Sequence, residues 1–283
     1  MTTLQRAALL GVLAFTTVAV SPASLVAQET VAVARPSLTD EQMEDFLLNA
    51  RIVSTKEAKK GITNTSRATL SDGRITHDAS IQTIDIAKSV FTPDNGRTQL
   101  NFKDTYRFNI AGYRLGRMLG LNVPMSVDRK VRGTHAAVTW WIDDVVMDEG
   151  GRIKKEPPSA KLSPKTAGQI HVMRVFDELI ANTDRNAGNL QWTSDGTMWM
   201  IDHTRAFRYN AKLTNPKLLE RCDRNLLLGM RRLTAEELTT TMGSYLGKPE
   251  IDALLARRDE LIKLFDTMVK ERGEGAVLYS VER

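Results

Sequence analysis

Three side chains in the middle of the sequence carry the oxygen chemistry that phosphoryl transfer requires: Asp184, Asn189 and Asp202. Asn189 follows Asp184 by five residues, and Asp202 follows Asn189 by thirteen. Moving a phosphoryl group calls for a divalent cation bridging phosphate oxygens, and hard cations take carboxylate and amide oxygens. It also calls for a carboxylate beside the attacking hydroxyl. Asp184 is the candidate base, and Asn189 and Asp202 are the candidate metal ligands. Taken singly, each residue has a plainer reading as a turn cap on a solvated loop. All three in this order favour the chemical reading.

The elements around them are legible. Residues 176–181 close a helical pattern, and 182–189 form a polar loop that includes Gly188. Residues 190–192 and 198–201 are short apolar runs flanking Ser194-Asp195-Gly196-Thr197, the pattern of two strands joined by a turn. Asp202 follows the second strand directly. Helix, loop, hairpin and acid in succession bring the three groups to one end of a small sheet.

The five-residue step resembles the Asp-to-Asn spacing of the protein-kinase catalytic loop, and Asp202 stands where the kinase metal-binding Asp follows its hairpin. The wording NTDRNAGN and IDHTRAF resembles atypical kinases more than the usual ones. It is similar to the HipA-type toxin kinases, the phosphoinositide kinases and the Golgi secretory kinases, where the Asp precedes Arg. The resemblance is strongest over 176–207 and extends from about residue 50 to the C-terminus.

That resemblance implies an α+β, bilobal, protein-kinase-like fold. A small antiparallel β lobe spans 51–144, a hinge or linker insertion 145–165, whose Lys- and Pro-rich part over 148–165 reads as exposed and solvated, and a larger helical lobe 166–283. It implies ATP and Mg²⁺ or Mn²⁺ as cofactors. Residues 52–59, 66–71 and 75–86 read as strands. The first hairpin resembles the flap over ATP phosphates, with Gly61 and Thr63 at its tip. The third strand carries Gln82 where a kinase has its lysine. The following helix, expected over 104–119, has no Glu, and Asn109 is its best-placed polar residue. Both members of the kinase Lys–Glu pair are thus replaced together. A Glu left alone in a half-buried site is costly, whereas two amides bond each other. Positive charge for phosphate would come from Lys59, Lys60, Arg67 or Lys103. Two more strands over 122–144 end at Trp140-Trp141, the hinge position. Trp141 is the candidate beside adenine, with lobe core as the alternative. Arg185 and Arg205 are candidates to neutralise a catalytic-loop carboxylate, Arg185 alternatively to bind phosphate, and His203 to orient Asp202.

The remaining chain sets bounds. Its 283 residues suffice for two lobes. A net charge of +5 suits an anionic ligand, and no aromatic-interleaved basic motif points to nucleic acid. Cys222 is the only cysteine, so no internal disulfide forms, and its surroundings read as helix. The four histidines have no zinc spacing. Residues 1–27 have a basic start, an apolar run and small-residue endings: a secretory signal peptide, with an uncleaved membrane anchor as the alternative. Residues 28–50 read as a linker and a helix capped by Ser37 or Thr39. After Phe207 three helices are expected, the first from Asn215-Pro216 to about Arg232. The exported protein is therefore expected to be an atypical kinase acting on an unknown acceptor: protein, lipid headgroup or small molecule. The alternatives are a catalytically inactive kinase-like nucleotide-binding protein and a metal-dependent phosphoester hydrolase.

Overall fold

A computed structural model describes residues 38–57, 65–92, 96, 98–156 and 161–281. The N-terminal segment 1–27, Lys59, Lys60, Gly61 and Thr63 lie outside them. The chain is an α+β fold of two lobes. Its first lobe opens with helix α1, Asp40–Asn49, started by a capping box. The Thr39 hydroxyl accepts from Gln42 N–H, and the Gln42 side chain accepts from Thr39 N–H. Strands β1 (Arg51–Glu57), β2 (Ser66–Ser71) and β3 (Thr76–Gln82) follow, then β4 (Asp85–Phe91), β5 (Gln99–Thr105), helix α2 (Arg107–Met118), β6 (Ser126–Val131) and β7 (Thr134–Trp140). Five of these strands form one antiparallel sheet in the order β1-β2-β3-β7-β6.

Alternation along the strands gives that sheet two unlike faces. Ala68, Leu70, Ala79 and Ile81 are buried with Phe46 and Leu47 of α1. Arg67, Thr69, Asp78, Ser80 and Gln82, the alternate residues along the same two strands, share the other face. That polar face is the one that delivers Gln82 to the site.

The third strand ends at Gln82 rather than running on to residue 86. Residues 85–105 instead form a separate two-stranded ribbon of β4 and β5. It is tied in where Tyr106 N–H donates to Ile84 C=O (2.7 Å) and Thr105 N–H donates to Thr204 C=O (2.9 Å). The helix accordingly begins at Arg107, three residues later than its apolar pattern implied.

The second lobe contains β8 (Val145–Asp148), α3 (Glu149–Lys155), α4 (Pro164–Leu179), β9 (Leu190–Thr193), β10 (Met198–Met200), β11 (Cys222–Asp223), α5 (Arg224–Arg232), α6 (Ala235–Met242), α7 (Lys248–Arg272) and β12 (Leu278–Tyr279). Its core joins Val172, Val175, Phe176 and Leu179 of α4 to Leu226, Met230, Leu254, Leu261 and Phe265. The hairpin β9–β10 forms as expected, with β8 added along β9.

Two further expectations need correction. The segment 145–165 is not simply an exposed linker, because it holds β8 and α3. Asp148 caps α3 by accepting from Gly151 N–H at 2.7 Å. Glu149 turns inward, where Trp192 Nε1 donates to it at 2.8 Å and Arg152 grips both its oxygens. Lys and Pro content marked the segment as solvated, but one buried carboxylate anchors it. Similarly, no helix spans 216–232. Asp223 caps a helix that starts only at Arg224, accepting from Leu226 N–H at 2.9 Å. Cys222 therefore lies on β11, paired in parallel with β12, and not on a helix. It is buried all the same, and burial pushes its thiol pKa well up.

Candidate functional site

The loop carrying Asp184 is organised by two residues that bond inward. Asp177, near the end of α4, accepts from Asn182 Nδ2 at 3.0 Å and from Arg185 Nε and Nη2 at 2.9 and 2.8 Å. Arg185 also donates to the carbonyls of Ile201 (2.7 Å) and Asn189 (3.3 Å), and its Nη2 meets His203 Nε2 at 3.1 Å. This side chain is 9% exposed, and its guanidinium is engaged inside the lobe. Asp184 itself projects outward, its side chain 55% exposed.

Asn189 and Asp202 leave the small sheet together. Ile201 N–H donates to Asn189 C=O at 3.0 Å, so the residue before Asp202 is fastened to Asn189. At Asp202 the backbone turns into the left-handed region, φ 55°, a conformation Asp tolerates better than most residues. Burial raises the pKa of the Asp202 carboxyl. Hydrogen bonds from Thr204 oppose the rise, the nearby Asp104 charge adds to it, and a Gln82 side-chain bond opposes it.

Gln82 and Asn109 are both buried, and Asn109 Nδ2 donates to Gln82 Oε1. Asn109 Oδ1 accepts from His203 N–H at 2.7 Å. The amide pair thus ties β3 and α2 to the turn after Asp202. His203 serves that turn through its backbone. Its ring lies buried against Phe176, and a Cβ at Gly112 of α2 would stand 3.1 Å from it. The helix approaches this closely because residue 112 has no side chain. Burial first, and the Arg185 charge second, hold the imidazole pKa well below its usual value.

Asp104, at the end of β5, is the site residue that sequence reasoning missed. It is 2% exposed. Its Oδ2 accepts from Arg205 Nε at 2.7 Å, and its Oδ1 is buried without a hydrogen-bond partner. Arg205 Nη1 donates in turn to Asp184 Oδ2 at 3.2 Å. Asp104, Asp184 and Asp202 all bear electrostatically on Arg205. A charged residue inside the strand pattern QLNFKDT, just before an apolar helix, was the available signal.

Among the described residues, no three His, Cys, Asp or Glu side chains gather into a metal cage. The donors present fit a different arrangement. Magnesium uses one or two carboxylates and fills its shell with water and substrate phosphate oxygens. Asp202 and Asn189, emerging side by side, suit such a shared cation. The charge balance fits as well, since Asp104 has an orphaned buried oxygen and raises the Asp202 pKa.

The other expected nucleotide contacts lie elsewhere on the polar face of the large sheet. Arg67 Nε donates to Asp78 Oδ2 at 2.6 Å, and its guanidinium sits 4.2 Å from the Trp141 ring centre. Trp141 N–H donates to Asp78 C=O at 3.1 Å. Arg67 and Trp141 are thus joined to each other through Asp78. Lys103 is paired with Glu250. The flap tip, with Gly61 and Thr63, is outside the described residues.

Solved structures place this architecture. The structure of hydra Fam20 with sugar superposes with a TM-score of 0.62 at 14% identity, covering 85% of this chain and 92% of that one. The crystal structure of the Golgi casein kinase gives 0.59 at 12% identity, covering 87% and 80%. The fold is kinase-like. At these identities the likeness speaks for the fold alone. No family model matches the sequence, and no curated protein matches it. Within the kinase-like fold, the β3 position of Gln82 and the α2 position of Asn109 form a neutral bridge between sheet and helix.

Proposed function

We propose that this chain is an atypical kinase, transferring the terminal phosphoryl group of ATP to an acceptor hydroxyl. The observation that carries the reading is the fastening of Asn189 to the residue before Asp202, with Asp184 joined to the same cluster through Arg205. In this reading Asp184 lies open to the cleft and accepts the proton of the acceptor. Asn189 and Asp202 hold Mg²⁺ or Mn²⁺, which when bound neutralises charge on the phosphate oxygens. Gln82 and Asn109 keep Asp202 in position. Arg67 and Trp141, with Gly61 and Thr63 of the flap, border the nucleotide. The acceptor is a protein, a lipid headgroup or a small molecule. The apolar start of the sequence supports export to a periplasmic or extracellular compartment. Among the described residues, no helix is long and apolar enough to cross a membrane.

The test is phosphate transfer from labelled ATP with Mn²⁺, read by mass spectrometry of the protein and of candidate acceptors. Asp184→Ala is expected to lower turnover by about 10²–10⁴ while nucleotide binding stays near the wild-type value. Asp202→Ala is expected to abolish the dependence of nucleotide affinity on metal. Unchanged turnover in the first variant removes Asp184 from the mechanism.

The neutral Gln82–Asn109 pair favours a second reading, a kinase-like nucleotide-binding protein without transfer. Metal-dependent ATP binding with no labelled product from any acceptor, or from the chain itself, selects that reading.

A further inference from the structure

The described cations that sequence reasoning offered for phosphate are already engaged, Arg185 by Asp177 and by the carbonyls of Ile201 and Asn189 inside the second lobe. Arg67 is held by Asp78 and Trp141, and Lys103 by Glu250. Gln82 and Asn109, at the positions of the kinase ion pair, are uncharged. Yet the cluster around Asp184 and Asp202 does contain an ion pair between the lobes. Arg205, three residues after Asp202, is bound through Nε to the buried Asp104 at the end of β5. Its Nη1 reaches the open Asp184 at 3.2 Å, and its side chain is 29% exposed. One edge of the guanidinium is therefore anchored, while the other faces the candidate base.

Arg208 follows three residues later in the chain. It has no carboxylate in salt-bridge contact among the described residues, and its Nε is buried without a hydrogen-bond partner. Its Nη1 donates to Gln99 at 2.7 Å. Burial lowers its pKa, and the next contributions come from Asp184, Arg205 and Asp104, so it shares their neighbourhood. A second guanidinium, with no carboxylate in salt-bridge contact among the described residues, thus lies within the electrostatic reach of Arg205.

We propose that Arg205, anchored by Asp104, is the phosphate-binding cation of this site, taking over from the second lobe the task a lysine on β3 performs in other kinase-like folds. The inference rests on the nucleotide reading above. A guanidinium is suited to it, since its planar fork bonds a carboxylate on one edge and phosphate oxygens on the other. The bond it makes with exposed Asp184 is weak and exchangeable, because solvent screens it. Exchange of that bond for a phosphate oxygen would free Asp184 to meet the acceptor.

The experiment compares binding of ATP, ADP and adenosine, each with Mn²⁺, to the full chain and two variants by calorimetry. Arg205→Lys keeps a charge near Asp104. The double variant Asp104→Asn with Arg205→Gln removes both charges, so that no buried carboxylate is left alone. Loss of a charge-assisted hydrogen bond is worth about 10- to 100-fold in affinity. We expect ATP and ADP to weaken by that factor in the double variant and by less in Arg205→Lys, with adenosine unchanged. A merely structural Arg205 would lower the melting temperature and leave the ratio of ATP to adenosine affinity at its wild-type value, which overturns the inference. Wild-type protein that binds none of the three ligands overturns the nucleotide reading and this inference with it. Wild-type protein that binds all three equally overturns the inference alone.

Discussion

Replacing Arg185 by Ala tests how the candidate catalytic loop is held. Arg185 and Asp177 are 9% and 11% exposed, and two of their bonds are shorter than 3 Å. Removing one partner of a buried, bidentate pair costs roughly 3–5 kcal/mol, because the other charge remains in a poor solvent. The Ile201 carbonyl also loses its Arg185 donor, at a further cost of about 1–3 kcal/mol. The Asn189 carbonyl is spared, since Ile201 N–H still donates to it. These contributions overlap, and a net loss of roughly 4–6 kcal/mol is expected. For a chain of this size each kcal/mol lowers Tm by about 2–4 °C, so a fall of roughly 10–20 °C follows. Thermal melts followed by circular dichroism read it directly. Adding Asp177→Asn to Arg185→Ala removes the stranded charge and is expected to recover about half the loss. The reasoning fails if Arg185→Ala melts within about 2 °C of wild type. It fails equally if the double variant melts no higher than the single one.

Arg257 of α7 is fully buried and donates to the carbonyls of Leu179, Arg208 and Asn210 at 2.9, 2.9 and 2.5 Å, with burial lowering its pKa to about 10. Arg257→Met is expected to destabilise by roughly 2–4 kcal/mol in urea titrations, and an unchanged midpoint contradicts this. His203 is held neutral by burial and by Arg185, so its folded pKa lies well below 6.5. The unfolded chain then binds the extra proton, and stability is complete above about pH 6.5 and declines as pH falls below it, by up to about 1.4 kcal/mol per pH unit. His171, also depressed by burial, adds in the same direction. Unfolding free energies measured from pH 7.5 to 5 should fall less steeply for His203→Gln, and a flat wild-type curve refutes the assignment. The Cys222 thiol, buried and with its pKa pushed well up, should react with iodoacetamide only in denaturant. Rapid labelling of the native protein excludes that packing.

Much of this was readable before any coordinates. The helix start near Asp40, for which Ser37 and Thr39 were both candidate caps and Thr39 is the one that serves, and the hairpin around Asp195-Gly196 are local devices, written in neighbouring residues. So is the order Asp184, Asn189, Asp202. The segment 145–165 was misjudged because a run of Lys and Pro looks solvated, while the decisive contact, Glu149 to Trp192, spans 43 residues. The break of the third strand at Gln82 escaped notice because β4 is exposed over nearly its whole length, which leaves its apolar alternation weak.

Sequence alone determined the residue types on offer: two carboxylates and an amide spaced along a helix, loop and hairpin. That follows because turns and short strands are set by adjacent residues. Only the tertiary structure decided the charge balance of the site. Asp104 and Arg205 are 101 residues apart, and their pairing depends on the ribbon β4–β5 crossing to the segment after Asp202. No local pattern encodes such a meeting, because a buried ion pair is specified by where two elements pack and which other partners they exclude.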